Sequence, residues 1–314
     1  MAENYVLLNG RIVPSGAARI GAFDSGLSHG AGLFETWRVY RGRPFRLQAH
    51  LDRIAASAES LGLRWPNESA NAWSIQIAQL LEANGLREAR MRLTLTAGEA
   101  ESPAARRTES RKAEAADATQ TGDAGEGASE AFSGTILITA GPVGVYPPEL
   151  YERGMSVCIS DYRVSLRDPI AGHKTLSYFP RLLGLREAQR KHCGEALWFS
   201  TDYRLTEGCI SNVFVVKDDR LLTPPRDAPI LPGVTRRIVL DLAAEAGIPA
   251  AETPLTIEDL LASREVFLTN SIMEIMPVAR IEKHAVADEK PGPITRRLRE
   301  LYRETVERES RPSV

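Results

Sequence analysis

The sequence predicts an α+β fold in two units, and three observations carry that expectation. Strand-like and helix-like segments are mixed without the regular βαβ beat of a doubly wound sheet. No G-x-G-x-x-G turn follows a strand, and no phosphate-loop motif occurs, so a dinucleotide fold is not expected. The 314 residues, 43% hydrophobic and 25% charged, suffice for two cores of ordinary globular composition.

Taken in order, residues 5–9 and 11–13 read as a hairpin turning at Asn9-Gly10, a dipeptide that tolerates the positive φ of tight turns. Residues 38–40 and 43–46 form a second hairpin around Arg41-Gly42. A helix over 50–61 places Leu51, Ile54, Ala58 and Leu61 on one side. Another covers 68–84 and stops before Gly85, and 91–96 alternates as a strand. These elements make a smaller N-terminal domain over 1–98.

From Glu99 to Glu130 the chain has no Leu, Ile, Val, Met, Phe, Tyr or Trp. Such a stretch buries too little surface to offset its ordering entropy, so 99–130 is expected to be a disordered insertion. Residues 131–150 then finish the first domain and link it to the second, with a strand over 134–139. A larger domain over 151–305 contains strands at 155–160, 196–200, 212–217 and 265–269. Its helices are expected at 176–191, 232–246 and 294–303, with Pro180 near the first turns of the earliest. Residues 306–314 are expected to be a flexible tail.

Net charge is −2 and no long basic tract occurs, which argues against nucleic acid or an anionic membrane as partner. The apolar runs are too short to cross a bilayer, and the opening MAENYVLLNG lacks the pattern of a signal peptide. Cys158, Cys193 and Cys209 are odd in number and widely spaced, outlining neither a disulfide framework nor a metal knuckle. A cytoplasmic protein without a metal is expected.

Few residues stand out for chemistry. Lys174 in GHKTLSY lies between a polar turn and an apolar helix. It is either a solvated surface lysine or, led into a pocket, an amine of lowered pKa that acts as nucleophile, base or imine former. Glu207 in LTEGCISN, ahead of a strand, caps a turn or serves a site. LPGVTR at 231–236 offers backbone N–H groups at a helix start, a geometry that suits phosphate and also suits an ordinary helix. Thr269 to Ser271 could add a second polar rim to the same anion.

In their order these segments resemble the fold-type IV family of pyridoxal phosphate enzymes, the class IV aminotransferases. GLSHGAGLFETWRVY resembles the family's glycine-rich segment followed by Phe-Glu, and AHLDRI its stretch with the phosphate-binding arginine, here Arg53. GHKTLSY places the catalytic, cofactor-holding lysine on Lys174 and a cofactor-side phenol on Tyr178. LTEGCISNVF places the carboxylate for the pyridine nitrogen on Glu207, with Ser211 and Asn212 beside it. LPGVTR resembles the phosphate turn at Gly233, Val234 and Thr235, and FLTNSIMEIMPV the late segment that completes it through Asn270 and Ser271.

The resemblance implies a D-amino acid aminotransferase-like two-domain fold, pyridoxal 5'-phosphate as cofactor, amino acid and 2-oxo acid substrates, and a homodimer. The implied activity is transfer of an amino group from an L-amino acid, branched-chain first, to a 2-oxo acid. Substrate contacts fall by resemblance on His29, Glu35, Arg38 and Arg92, since Phe34, Glu35 and Arg38 resemble the Phe-Glu-x-x-Arg stretch of branched-chain enzymes. Thr36 departs from their glycine, the spacing from Lys174 to Tyr178 is one residue shorter, and Asn270-Ser271 replaces their Gly-Thr. NSIMEIMPV and the short lysine spacing resemble aminodeoxychorismate lyases. D-amino acid aminotransferases are a further alternative, although Ala97 stands where they usually carry an arginine.

Overall fold

The computed structural model describes residues 3–66, 68–99, 134–144 and 146–311. The expected insertion at 99–130 therefore lies, Glu99 apart, outside the described residues.

Asn9 and Gly10 take φ of 48° and 76° and turn β1 (Tyr5–Leu8) back on β2 (Arg11–Pro14). A short helix, α1 (Ser25–His29), precedes β3 (Gly32–Tyr40) and β4 (Arg43–Pro44). Helices α2 (Leu47–Ser60) and α3 (Ala70–Ala83) lead to β5 (Ala89–Thr96) and β6 (Ile136–Gly141). The six strands form one antiparallel sheet in the order β2-β1-β6-β5-β3-β4.

Strand alternation decides what each face of this sheet does. In β5, Ala89, Met91, Leu93 and Leu95 are buried in a core with Leu51 and Ile54 of α2 and Trp73 and Ile77 of α3. Arg90, Arg92 and Thr94 consequently point to the opposite face. The same parity in β3 sends Leu33, Trp37 and Val39 into the core, so Glu35 lies on the helix side. Phe34 and Thr36 face away with Arg92.

The chain then enters α4 (Pro148–Arg153), β7 (Met155–Val164), α5 (Phe179–Arg190) and β8 (Glu195–Ser200). β9 (Leu205–Gly208), β10 (Asn212–Lys217) and β11 (Arg220–Thr223) follow. Next come α6 (Val234–Glu245), β12 (Ala250–Glu252) and α7 (Ile257–Leu261). β13 (Glu265–Asn270), β14 (Glu274–Ile281), β15 (His284–Ala285) and α8 (Pro293–Glu309) complete the chain. The second sheet has nine strands, in the order β12-β11-β10-β13-β14-β7-β8-β9 with β15 on β14. Pairs β11–β12, β14–β7 and β7–β8 are parallel and the others antiparallel. One face of this sheet packs under α6 and α8, where Phe214 and Phe267 stack at 5.0 Å among Ile238, Leu242, Leu298 and Tyr302.

Two boundaries differ from expectation for identifiable reasons. The helix expected from Leu176 begins at Phe179, which puts Pro180 in the first turn, where a missing N–H costs nothing. The terminal helix runs past Arg303 to Glu309, so 306–309 are not a flexible tail. Buried Thr305 and Val306 hold that turn against the core that contains Phe45. No helix among the described residues is long and apolar enough to cross a membrane.

Backbone hydrogen bonds tie β3 of the first sheet to the segment that carries Lys174. Phe34 N–H donates to Lys174 O at 2.8 Å, and Leu176 N–H donates to Gly32 O at 2.9 Å. The segment between β7 and α5 thus runs as a short antiparallel partner of β3, which delivers Lys174 to the boundary between the sheets.

Candidate active site

A cavity of about 1310 Å³ opens at this boundary, walled by Phe34 and Arg92, the Lys174 segment, Glu207 and the start of α6. Lys174 Nζ sits 4.5 Å from the centroid of the Phe34 ring and 5.7 Å from that of Tyr178. Burial pushes its ammonium down to about 8, against an ordinary 10.5. Glu35 and Glu207 oppose that shift, while Arg53 and Arg92 add to it. The Arg92 guanidinium lies 3.7 Å from the same Phe34 ring, so a lysine and an arginine share one aromatic residue. Tyr178 meets Phe34 edge-on at 5.1 Å and donates its hydroxyl to Cys209 O at 2.9 Å.

Glu207, at the end of β9, is buried. Its Oε1 accepts from Arg181 Nη2 at 2.7 Å, and its Oε2 from Leu231 N at 2.9 Å and Asn212 Nδ2 at 3.3 Å. Burial raises the carboxyl's proton affinity, and Arg181 is the largest influence opposing it. Ser211 gives its hydroxyl to a second buried carboxylate, Glu195, at 2.9 Å. Glu195 also accepts the Cys209 and Ile210 N–H groups, so it shapes the turn that carries Glu207 and Asn212.

A polar cup occupies another wall. Gly233 is the N-cap of α6 and has no side chain to satisfy the N–H groups of the first turn. A Cβ on Gly233 would stand 1.9 Å from Asn212 Oδ1, so any larger residue there must push the Asn212 side chain aside. Arg53 reaches the cup from α2 with Nη1 on Pro232 O at 3.0 Å. Its Nε and Nη2 both donate to Glu35 at 2.7 Å, leaving two of five N–H groups uncommitted. His50, one turn earlier, joins Glu35 at 2.8 Å to Ser271 Oγ at 3.4 Å. The buried Thr269 hydroxyl, also on the wall, has no partner among the described residues. An uncapped helix start, an arginine with spare donors and an orphan hydroxyl match a phosphate group.

Several residues lie elsewhere than the sequence suggests. Glu35 does not face the cavity: strand parity turns it to α2, where it is 1% exposed and grips Arg53 and His50. Arg38 Nη1 pairs with Glu274 at 2.9 Å, in a second cavity of about 580 Å³. His29 is exposed at the end of α1, bonded at 2.7 Å to Ser28, and does not line the main cavity. Asn270 borders that cavity, but its Oδ1 accepts from Ile272 N and Met273 N, both at 2.8 Å, and holds a turn. Arg181 and Glu195 escaped the sequence reading, because their partners are carboxylates and turns distant in the chain.

A buried lysine of low pKa, a carboxylate across the cavity and a phosphate-sized cup describe an enzyme with a covalently held phosphorylated cofactor. The chain belongs to the class IV aminotransferases, whose family model, "Amino-transferase class IV", matches residues 32–281. Enzymes of this family work with pyridoxal 5'-phosphate, and the residues around Lys174 fit that group. A Methanocaldococcus jannaschii protein, named as a candidate branched-chain-amino-acid aminotransferase, is 32% identical over 95% of both chains. The aminodeoxychorismate lyase of Bacillus subtilis is 27% identical over 96% of this chain and 94% of its own. D-alanine aminotransferases, such as that of Listeria innocua, are 29% identical over 96% of each chain. Among solved structures, the Escherichia coli branched-chain amino acid aminotransferase superposes with a TM-score of 0.82 at 26% identity. That match covers 96% of this chain and 94% of the other.

Proposed function

We propose that this aminotransferase takes the amino group of a branched-chain L-amino acid and passes it to a 2-oxo acid. The observation that carries the reading is the Phe34 wall, where apolar rings and the Arg92 guanidinium meet beside Lys174 Nζ. An aliphatic donor side chain finds apolar surface there, and an acidic acceptor finds a cation. The relatives named for branched-chain substrates in Methanocaldococcus jannaschii and Escherichia coli support the same choice.

Pyridoxal phosphate, when bound, supplies an aldehyde that captures amines and a ring that withdraws electrons from the substrate's Cα. The chain's own residues do the rest. Lys174, with a pKa of about 8, has a sizeable neutral fraction near neutral pH, so its amine serves as nucleophile. Once its nitrogen is free again, Nζ holds and moves the Cα proton, because it is the basic group at the centre of the cavity. Arg53, the N–H groups of Val234 and Thr235, and Ser271 hold the phosphate end. Glu207 faces the ring nitrogen, with Asn212 fixing its orientation. Tyr178 and Phe34 exclude water on the lysine side.

A second reading, pyruvate release by a lyase, is favoured by the guanidinium groups of Arg90, Arg92, Arg163 and Arg167 around the cavity, which suit a substrate with two carboxylates. The Bacillus subtilis lyase supports it as well. The test is a single-turnover screen of cofactor-loaded enzyme. Conversion of the cofactor spectrum by L-Leu, L-Ile or L-Val supports the first reading. Pyruvate formed from aminodeoxychorismate without that conversion supports the lyase, and conversion by D-alanine alone would reject both.

The same reading takes the protein to be a cytoplasmic homodimer. Ile20, Phe23 and Leu27 support pairing, since three large apolar side chains stand exposed within one short segment. Sedimentation of the active enzyme as a monomer would exclude it.

A further inference from the structure

Among the described residues, Arg181 is the cation hydrogen-bonded to Glu207, and the proposed chemistry gives it no part. It occupies the first turn of α5, where the helix dipole disfavours a positive charge. Its position is explained by what it touches. Nη2 donates to Glu207 Oε1 at 2.7 Å, Nη1 donates to Gly208 O at 3.2 Å, and the guanidinium lies 4.5 Å from the centroid of the Trp198 ring. Gly184, one turn on, lets α5 approach closely enough for this, since a Cβ there would stand 2.6 Å from Cys209 Sγ. Arg181 also lines the cavity, with its side chain 19% exposed beside a Glu207 side chain that is 10% exposed.

A carboxylate offers about four acceptor positions. Arg181, Leu231 N–H and Asn212 Nδ2 take three of them, which leaves Glu207 one position toward the cavity. The other charged groups acting on this carboxylate, Lys174 and Arg53, are also cationic. A base that binds at the last position therefore meets a carboxylate whose charge is already largely matched.

We propose that Arg181 is a positioning residue that shares the Glu207 carboxylate with the ring nitrogen of pyridoxal phosphate and lowers that nitrogen's proton affinity. The proposal rests on the reading that Glu207 faces the ring nitrogen. Its consequence is a ring less firmly protonated than an unshared carboxylate would make it, with milder electron withdrawal from the substrate.

The test is nitrogen-15 NMR of enzyme loaded with ring-labelled cofactor, followed against pH. In Arg181→Gln the signal moves toward the protonated value, and its titration midpoint rises by about one pKa unit. Arg181→Lys, which keeps the charge, stays near the wild-type midpoint. If the glutamine variant does not fold or load, Arg181→Met, of similar length and uncharged, carries the same expectation. A wild-type ring already fully protonated across the accessible pH range, or one that the uncharged variants leave unmoved, overturns the proposal. Glu207→Gln separates this from the underlying reading. If that variant lowers the midpoint while the Arg181 variants change nothing, only the role of Arg181 fails. If it too leaves the signal unmoved, Glu207 does not face the nitrogen.

Discussion

Glu35 holds Arg53 by two bonds of 2.7 Å, one from Nε and one from Nη2, in a pairing that crosses from β3 to α2. The carboxylate is 1% exposed, so the pair is a fork-to-fork contact with little water around it. Its effect is to aim the remaining N–H groups of Arg53 at the α6 cup.

Glu35→Gln should therefore damage both stability and cofactor retention. Removing one partner of a buried pair leaves the other charge uncompensated, at a cost of about 3–5 kcal/mol. Urea denaturation measures the first effect, and equilibrium dialysis of pyridoxal phosphate the second. A variant as stable as wild type that also retains its cofactor would remove Glu35 from this role.

His50 gives a pH signature. Burial holds its imidazole below the ordinary 6.5, although Glu35 opposes the shift. The unfolded chain then binds a proton near pH 6.5 that the folded chain does not, so stability falls as pH drops below that value. Glu35 acts lower. Burial would raise its carboxyl, but Arg53 and His50 hold it well below the usual carboxylate range. Its contribution is full above about pH 4.5 and fades as pH falls further. His50→Phe should flatten the stability slope just below pH 6.5 and shrink the lower one, because His50 also helps hold the Glu35 carboxyl down. An unchanged slope in urea titrations just below pH 6.5 would contradict the account.

Lys174 should capture the cofactor aldehyde at a rate that rises with pH and levels above about 8, the midpoint of its titration. Glu207→Gln removes a negative charge that favours the ammonium, so the midpoint should move down. Lys174→Ala should lose both the covalent absorbance band and turnover. Stopped-flow mixing of apoenzyme with cofactor measures the capture rates and the band, and a steady-state assay with both substrates measures the turnover.

At Gly233 the expectation is steric. A methyl group 1.9 Å from Asn212 Oδ1 must displace that side chain and with it one bond to Glu207. Gly233→Ala should lower stability by about 1–3 kcal/mol, as overpacking does. Adding Asn212→Ala should recover part of that loss in thermal melting, because it removes the clashing atom.

Arg92→Gln tests the acceptor side. If Arg92 meets the distal carboxylate of the 2-oxo acid, loss of a charged bond worth about 1.5–3 kcal/mol lowers kcat/KM roughly 10- to 150-fold. The half-reaction with L-leucine, which has no second carboxylate, should stay within about threefold. Equal losses with both substrates would place Arg92 elsewhere in the mechanism.

Much of this architecture was legible because local rules produced it. The strand expected over 212–217 has those bounds in the structure, since its apolar run and flanking turns act within a few residues. The Asn9-Gly10 hairpin follows for the same reason. Short elements such as α1, β9 and α4 carry too few residues for a periodic signal. The roles of Glu35 and Arg181 were hidden more deeply, since each is explained by a partner on another element. Glu35 sits beside the family-like Phe34, yet parity in β3 turns it toward α2. Arg181 meets a carboxylate 26 residues away.

What the sequence by itself determined is the set of local chemistries and their order: the lysine before a helix, the carboxylate before a strand, the glycine at a helix start. Those depend on neighbours along the chain, and motif order sufficed to link them. Tertiary structure alone decided which charges face one another, that Lys174 is desolvated to a pKa of about 8, and that Glu207 is shared with Arg181. The physical reason is that burial and electrostatic fields are set by atoms a few ångströms away in space, brought there by the pairing of β3 with the Lys174 segment.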